Sequence, residues 1–398
     1  MSTLSRVQAL AERFAEDTVT NRRRLHQQPE LSFEERESAA FIARQLHSYA
    51  VDHRSGVAGY GVIAEVSGAE PGPTVVLRAD IDALPITEAT GLPYASQKPG
   101  VMHACGHDAH TACLLTAVRI LSQLSDTLPG SVRAIFQPAE EKLPGGARAM
   151  IQAGALANPQ PRVAIGQHIN PTLPSGSIGV RAGSFMASVD DVYLTVHGVG
   201  GHAAMPEQLI DPVLIASHVV VALQQIISRS SAPETPTVLS IGRMVANGAT
   251  NVIPPSVEMA GTFRTVDESW RAAAHKLIRR CAEGTATALG GSCEMRIVSG
   301  YPSLYNDEAL TSRVAEYAAE YVGPHNVQQL PLTMGGEDFA YYAREIPSCF
   351  YNLGVCPPGR LNKPDHLHSP RLDLDEAALM TGAGLLAWSA IRELQLTE

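Results

Sequence analysis

The fold turns on Ser131-Val132-Arg133-Ala134-Ile135-Phe136-Gln137-Pro138-Ala139-Glu140-Glu141. Its first part reads as a buried strand that ends in a proline and two adjacent acids. Paired acids commonly mark a solvated turn. Here one carboxylate can instead bind a metal while its neighbour moves protons. A second apolar run, Thr74 to Leu77, ends in Arg78-Ala79-Asp80-Ile81-Asp82-Ala83-Leu84-Pro85, and a third, Arg162 to Gly166, runs into Gln167-His168. Period-two spacing puts Asp80 and Asp82 on one face of an extended segment, where one can orient a ligand imidazole.

Helical patterns separate these strands, at Ala112 to Leu124 and Gly146 to Ala153. Strand–helix alternation predicts an α/β domain with a mixed, mostly parallel sheet flanked by helices. The polar residues sit where strands end, which is where open α/β sheets bind ligands. Upstream, residues 4–28 form a helix ended by Pro29. Ser32-Phe33-Glu34-Glu35 reads as a capping box opening a helix to about Tyr49, and Gly61 to Val66 is a strand.

Between the second and third strands lies His103-Ala104-Cys105-Gly106-His107-Asp108-Ala109-His110. Thiol and imidazole donors suit zinc and its neighbours, and Gly106 lets the backbone turn closely enough for Cys105 and His107 to share an ion. A histidine-rich surface loop with one buried cysteine is the plainer alternative, so further ligands have to come from elsewhere. His168, at the end of an apolar run, is a candidate.

Near residue 186 the pattern changes. Strands at 191–197, 237–244, 257–265 and 293–298 alternate with helices at 211–229 and 267–289, the first opened by an Asp211 cap and Pro212. This β-α-β-β-α-β order predicts an inserted ferredoxin-like α+β domain. The expected division is 1–185 plus 299–398 for a catalytic metal-binding domain and 186–298 for the insert. After it come a helix at 310–321, a glycine turn at Met334-Gly335-Gly336-Glu337-Asp338-Phe339, a strand at 349–353, a Pro-rich loop at 357–370 and a closing helix at 375–393. Gly198-Val199-Gly200-Gly201-His202-Ala203 formally fits a dinucleotide fingerprint, but the delayed helix and the absence of an acid near position 220 exclude one.

The chain has 398 residues, a net charge of −10 and a 45% apolar content, which argue for a globular protein and against a nucleic-acid binder. Its six cysteines contain no C-x-x-C pair, so a redox-thiol protein is disfavoured and a reducing compartment is expected. The first sixteen residues have no apolar segment of a signal peptide, and no apolar run reaches the ~18 residues of a membrane span. The expectation is a cytoplasmic protein with neither membrane nor nucleic acid as partner.

In order along the chain, Leu25-His26 with Pro29-Glu30, Arg78 to Pro85, His103 to Asp108, Pro138 to Glu141, Gly200-Gly201-His202-Ala203, Asn251-Val252-Ile253-Pro254, Gly335 to Phe339 and His368-Ser369-Pro370 together resemble the aminoacylase/carboxypeptidase family of co-catalytic metallohydrolases. The similarity is to the branch of hippurate hydrolase, plant indole-acetyl-amino-acid hydrolases and N-acetyldiaminopimelate deacetylase. The resemblance implies a metal-dependent amidohydrolase that cleaves N-acyl amino acids to a carboxylic acid and a free amino acid by metal-activated water. A di- or aminopeptidase on the same scaffold, or N-acetyldiaminopimelate deacetylase itself, is the alternative. It further implies Cys105, His107, Glu141, His168 and His368 as ligands of two divalent ions per subunit, zinc or manganese, with cobalt and nickel also open. Glu140 would be the general base, with Asp80 or Asp82 beside the site. The insert would be a lid and dimerisation domain, making a homodimer or higher homo-oligomer. From it His202 would reach the partner subunit's site, and Asn251 and Arg264 would bind the substrate carboxylate. Other branches carry a carboxylate where this chain has Cys105, which leaves the metal open.

Overall fold

Val75, Val76 and Leu77 are all fully buried, as expected of a strand with neighbours on both sides and covered faces. In the computed structural model, which describes residues 2–396, this strand is Glu70–Asp80. Val75, Leu77 and Ala79 join a core to which the helices His107–Ser122 and Ala378–Leu394 contribute. The chain divides into two units: Met1–Gly183 with Tyr305–Pro331 and Asp338–Glu398, and Ser184–Leu304 with Leu332–Glu337.

The first unit is built on an eight-stranded sheet. Its spatial order is Asp52–Val57, Gly61–Ser67, Pro129–Gln137, Glu70–Asp80, Val163–Pro174, Ser348–Cys356, Ile178–Val180, Val327–Gln329. The four central strands, from Pro129–Gln137 to Ser348–Cys356, pair in parallel. Antiparallel strands extend the sheet from each side of that centre. The sheet is therefore mixed with a parallel heart, as the sequence predicts. Register places Asp80 opposite Gln137 and Arg78 opposite Gly166. The strands that end at Asp80 and Gln137 therefore deliver residues 80–82 and 137–141 to one edge of the sheet, beside residues 166–168 of the longer strand Val163–Pro174.

Several local expectations need correction. The N-terminal helix is two helices, Thr3–Arg13 and Ala15–Gln27, with a break at Phe14. Helix His107–Ser122 begins inside the His/Cys cluster rather than after it. Residues His107 to Val118 are all buried, so the first turns have no polar face to show amphipathic periodicity. The expected capping box does not form. The helix starts at Arg36 without a side-chain cap, Ser32 Oγ donates to Asp82 Oδ2 at 2.6 Å, and Glu35 accepts from backbone elsewhere.

The second unit holds a four-stranded antiparallel sheet, ordered Thr237–Val245, Ser256–Thr265, Asp190–His197, Ser292–Ser299. Helices Pro212–Gln225 and Glu268–Ala288 share its core: Ile215, Val219, Leu223, Ile278 and Ala282 cluster with Val192, Leu194, Val196, Val257 and Phe263. Asp211 caps the first helix by accepting from the Val213 and Leu214 N–H groups, and Asp267 caps the second through the Trp270 N–H. One feature departs from the sequence reading. The first helix continues through a π turn to Ser230, and Pro212–Ser230 is long and apolar enough to cross a membrane by length and composition. Its Ile215, Ala216, Val219, Leu223 and Ile226 are instead buried in this unit's core.

Candidate metal centre

Gly106 starts the site. It has φ +86°, and a Cβ there would lie 2.2 Å from Ile169 Cδ1, so only glycine fits between the loop and the neighbouring strand. The turn it makes sends Cys105 to one side and begins the helix at His107. Cys105 Sγ then lies 3.4 Å from His168 Nε2. The Nδ1–H of His168 donates to the Ile169 carbonyl at 2.7 Å, which leaves Nε2 with its lone pair toward the thiol. His168 sits within the long strand Val163–Pro174 rather than at its end.

His107 faces two ways. Nδ1 is 3.1 Å from Asp82 Oδ1, while Nε2 is 3.7 Å from Asp80 Oδ2 and 3.8 Å from Glu141 Oε1. Asp82 is buried, and its other oxygen accepts the Glu141 N–H at 2.9 Å. Asp80 is held by other partners as well: Oδ1 accepts from His110 Nδ1 at 2.6 Å and Oδ2 from Arg78 at 2.8 Å. His110 Nε2 accepts the Ile169 N–H at 2.8 Å, so both nitrogens of that imidazole are engaged. Asp82 is therefore the aspartate that orients His107, and Asp80 is the one that fixes His110.

His368 arrives on the 357–370 loop with φ +64°. Its N–H donates to the Ala104 carbonyl at 2.7 Å, tying this loop to the cluster. Its Nε2 lies 3.3 Å from Glu141 Oε1. Cys105, His107 and His168 can thus converge on one point, as can Cys105, Glu141 and His368, and also His107, Glu140 and Glu141, with donor atoms in each group within 4.8 Å of one another. Cys105 is common to the first two groups.

The donors fit a cation. His107 Nε2 and Glu141 Oε1 are buried without a hydrogen-bond partner among the described residues, an expensive arrangement unless something positive takes both. Burial works against a charge on His107, yet Asp80, Asp82 and Glu141 outweigh it and push its pKa up to about 10. That same negative field would meet a divalent ion. Burial, with Glu141, Glu140 and Asp80, drives the Cys105 thiol well up, so a bound cation would have to displace its proton. His168 is held well down by burial and by His110, which keeps it in the neutral form that ligates. His103, fully buried, is lowered to about 4 by burial and stays neutral.

Around the donors lies a frame that the sequence reading missed. Arg78 donates to Gln137 Oε1 at 2.9 Å and to Asp338 Oδ1 at 2.8 Å, and Asp338 also accepts the Ala147 N–H at 2.9 Å. Asp108 accepts from Arg22 at 2.9 Å and faces His26 Nδ1 at 2.7 Å. Glu35, raised to about 7 by burial, accepts the Ala139 N–H at 2.8 Å. The motifs Arg78 to Pro85, Gly335 to Phe339, Leu25-His26 and His103 to Asp108 carried the sequence signal for the first two groups.

A family model described as Peptidase family M20/M25/M40 matches residues 76–391. The chain belongs to this family. Among M20 relatives it is 41% identical over 380 residues to an N-acetylcysteine deacetylase of Bacillus subtilis, covering 95% of this chain and 97% of that protein. It is 43% identical over 304 residues to an N-acyl-L-amino acid amidohydrolase of Geobacillus stearothermophilus, covering 76% and 82%. The crystal structure of the Bacillus subtilis YXEP protein, described as a dinuclear metal binding peptidase from the M20 family, superposes with a TM-score of 0.82 at 37% identity, covering 97% of this chain and 100% of that one. The M20 chain is a metal-binding amidohydrolase, and its donor groups support two divalent ions.

Three residues expected at the site belong to the second unit. His202 is exposed on the short strand Gly201–His202, which pairs with Val252–Ile253. Asn251 lies at the head of that partner strand, and its carbonyl accepts the Ala203 N–H at 3.1 Å, so two separate sequence motifs form one patch. Arg264, on Ser256–Thr265, is partly buried with Nη1 3.4 Å from the Met334 carbonyl.

Proposed function

We propose that this M20 metallo-amidohydrolase hydrolyses N-acyl amino acids, releasing a carboxylic acid and a free amino acid. The observation that carries the reading is the sharing of Cys105 between two donor trios, with the Glu140 carboxylate grouped beside them. Cys105, His107, Glu141, His168 and His368 would hold two ions. The thiolate and imidazoles favour zinc, with manganese, cobalt and nickel the alternatives. Divalent ions, when bound, acidify water and polarise the scissile carbonyl.

The chain's own residues do the rest. Glu140 is buried at the end of a turn that presents it beside the donors. Its carboxylate takes a proton from the attacking water and delivers it to the leaving nitrogen, a role typically contributing about 10²–10⁴-fold. Asp82 orients His107 and fastens the Glu141 backbone. From the second unit, His202 offers an imidazole donor to the developing oxyanion of a partner subunit's substrate, while Asn251 and Arg264 recognise the free carboxylate. Exposed Leu214 and Val221, on one helix of that unit, support a homodimer built through it. The free cysteines suit a reducing cytoplasm.

The test is Glu140→Gln, assayed on N-acetyl and N-benzoyl amino acids and on free dipeptides after loading with zinc or manganese. The variant is expected to bind metal like wild type and to lose at least about 10²-fold in kcat. Near wild-type turnover removes Glu140 as the base. Cleavage of dipeptides in preference to N-acyl amino acids assigns the chain to the peptidase alternative.

A further inference from the structure

Glu35 is a buried carboxylate in a position that neither metal binding nor helix capping explains. Its side chain is fully inaccessible, although it opens a helix at a place where an acid is ordinarily solvated. One oxygen, Oε1, accepts the N–H of Phe33 at 2.9 Å and that of Ala139 at 2.8 Å. Ala139 immediately precedes Glu140. It has φ +55°, a left-handed conformation disfavoured for any residue with a Cβ.

The Ala139 turn has a consequence for the two acids that follow. In extended chain, adjacent side chains point to opposite sides. Here Glu140 and Glu141 both bring a carboxylate oxygen into one group with His107. The backbone that makes this possible is gripped at both ends by carboxylates, Glu35 on the Ala139 N–H and Asp82 on the Glu141 N–H at 2.9 Å. The Ala139 carbonyl is held by the Gly146 N–H at 2.9 Å. At Gly146 a Cβ would fall 1.8 Å from the Pro138 carbonyl oxygen, so the segment has no slack.

We propose that Glu35 is a positioning residue for the reaction: by holding the Ala139 N–H it fixes the left-handed turn that aims the Glu140 carboxylate. This rests on the reading of Glu140 as the base. A misplacement of about 1 Å in a reacting group can cost about 10²-fold in rate, while the ligand Glu141 keeps an anchor of its own in the Asp82 carboxylate, which holds its N–H at 2.9 Å. The effect belongs in kcat.

The experiment compares Glu35→Leu, which removes the acceptor at similar volume, with Glu35→Gln, which keeps an acceptor oxygen for the Ala139 N–H. Both are assayed metal-loaded on an N-acetyl amino acid beside Glu140→Gln. Glu35→Leu is expected to lose about 10²-fold in kcat with KM within about twofold and bound metal unchanged. Glu35→Gln should stay within about fivefold of wild type. If Glu35→Leu does not fold, Glu35→Asp, too short to reach Ala139, replaces it with the same expected loss. Retention of wild-type kcat without the acceptor overturns the proposal, as does a loss shared by Glu35→Gln and accompanied by loss of metal. An active Glu140→Gln sinks the base reading and the proposal with it; an inactive Glu140→Gln beside an active Glu35→Leu sinks the positioning role alone.

Discussion

Asp82 Oδ1 lies 3.1 Å from His107 Nδ1, and this contact decides which face of the imidazole is offered to a cation. With Nδ1–H donated to the carboxylate, Nε2 is the nitrogen left facing Glu141 Oε1, 3.8 Å away, where a bound cation would replace its proton. Carboxylate partners of ligand histidines also raise their basicity. Asp82→Ala is therefore expected to weaken metal binding by about 10–100-fold, read by titration against a competing chelator. Unchanged affinity would mean that His107 is oriented by something else.

Cys105 gives the centre a spectroscopic handle. If its thiolate ligates, the cobalt-loaded protein shows a sulfur-to-metal charge-transfer absorption in the near ultraviolet. Cys105→Asp should abolish that band, keep two ions per chain, and move the metal preference from zinc toward manganese, because hard oxygen donors suit harder ions. A cobalt protein whose near-ultraviolet spectrum is the same with and without Cys105 removes the thiol from the ligand set.

The sequence made the strand ends legible because apolar runs that stop at polar residues have no other economical reading in an α/β sheet. Asp80, Asp82, Glu140 and Glu141 stand at or just past such ends, whereas His168 lies inside a strand that runs on to Pro174. What stayed hidden depends on contacts between distant segments. Ser32 and Glu35 have the spacing of a capping box, and nothing local distinguishes capping from bonds to Asp82 and Ala139, 50 and 104 residues away. The start of the helix at His107 was obscured because its first turns are buried on every side. That His110 holds Asp80 and the Ile169 N–H likewise depends on contacts 30 and 59 residues away.

Gly106 is expected to be intolerant of any side chain. Gly106→Ala must adopt φ +86°, at a cost of roughly 1–2 kcal/mol, and must also displace Ile169, whose Cδ1 would lie 2.2 Å from the new methyl. Overpacking of this kind costs about 1–3 kcal/mol. Urea denaturation of the metal-free protein should show the loss, and adding Ile169→Ala should relieve the steric part alone. A Gly106→Ala variant as stable as wild type would refute the close approach.

His26 ties pH to stability. Its Nδ1 is 2.7 Å from Asp108 Oδ2 and its Nε2 is 3.3 Å from Glu88 Oε1, so both ring nitrogens face carboxylates and satisfy them only as the imidazolium. Burial opposes the charge, as does nearby Arg22, but Asp108 and Glu88 outweigh both and raise the pKa above the ordinary value of 6.5. Tyr94 and His103 complete its surroundings. A raised folded-state value means that the native protein holds this proton more tightly than the unfolded chain does. The stabilisation is then complete below about pH 6.5 and is lost as pH rises through the folded value. Melting temperatures of chelator-treated wild type and His26→Gln, measured from about pH 6 to 9, should converge as pH increases, because the glutamine variant lacks this linkage. A gap that widens with pH would show that His26 is neutral in the native state and that the two carboxylates are satisfied in another way.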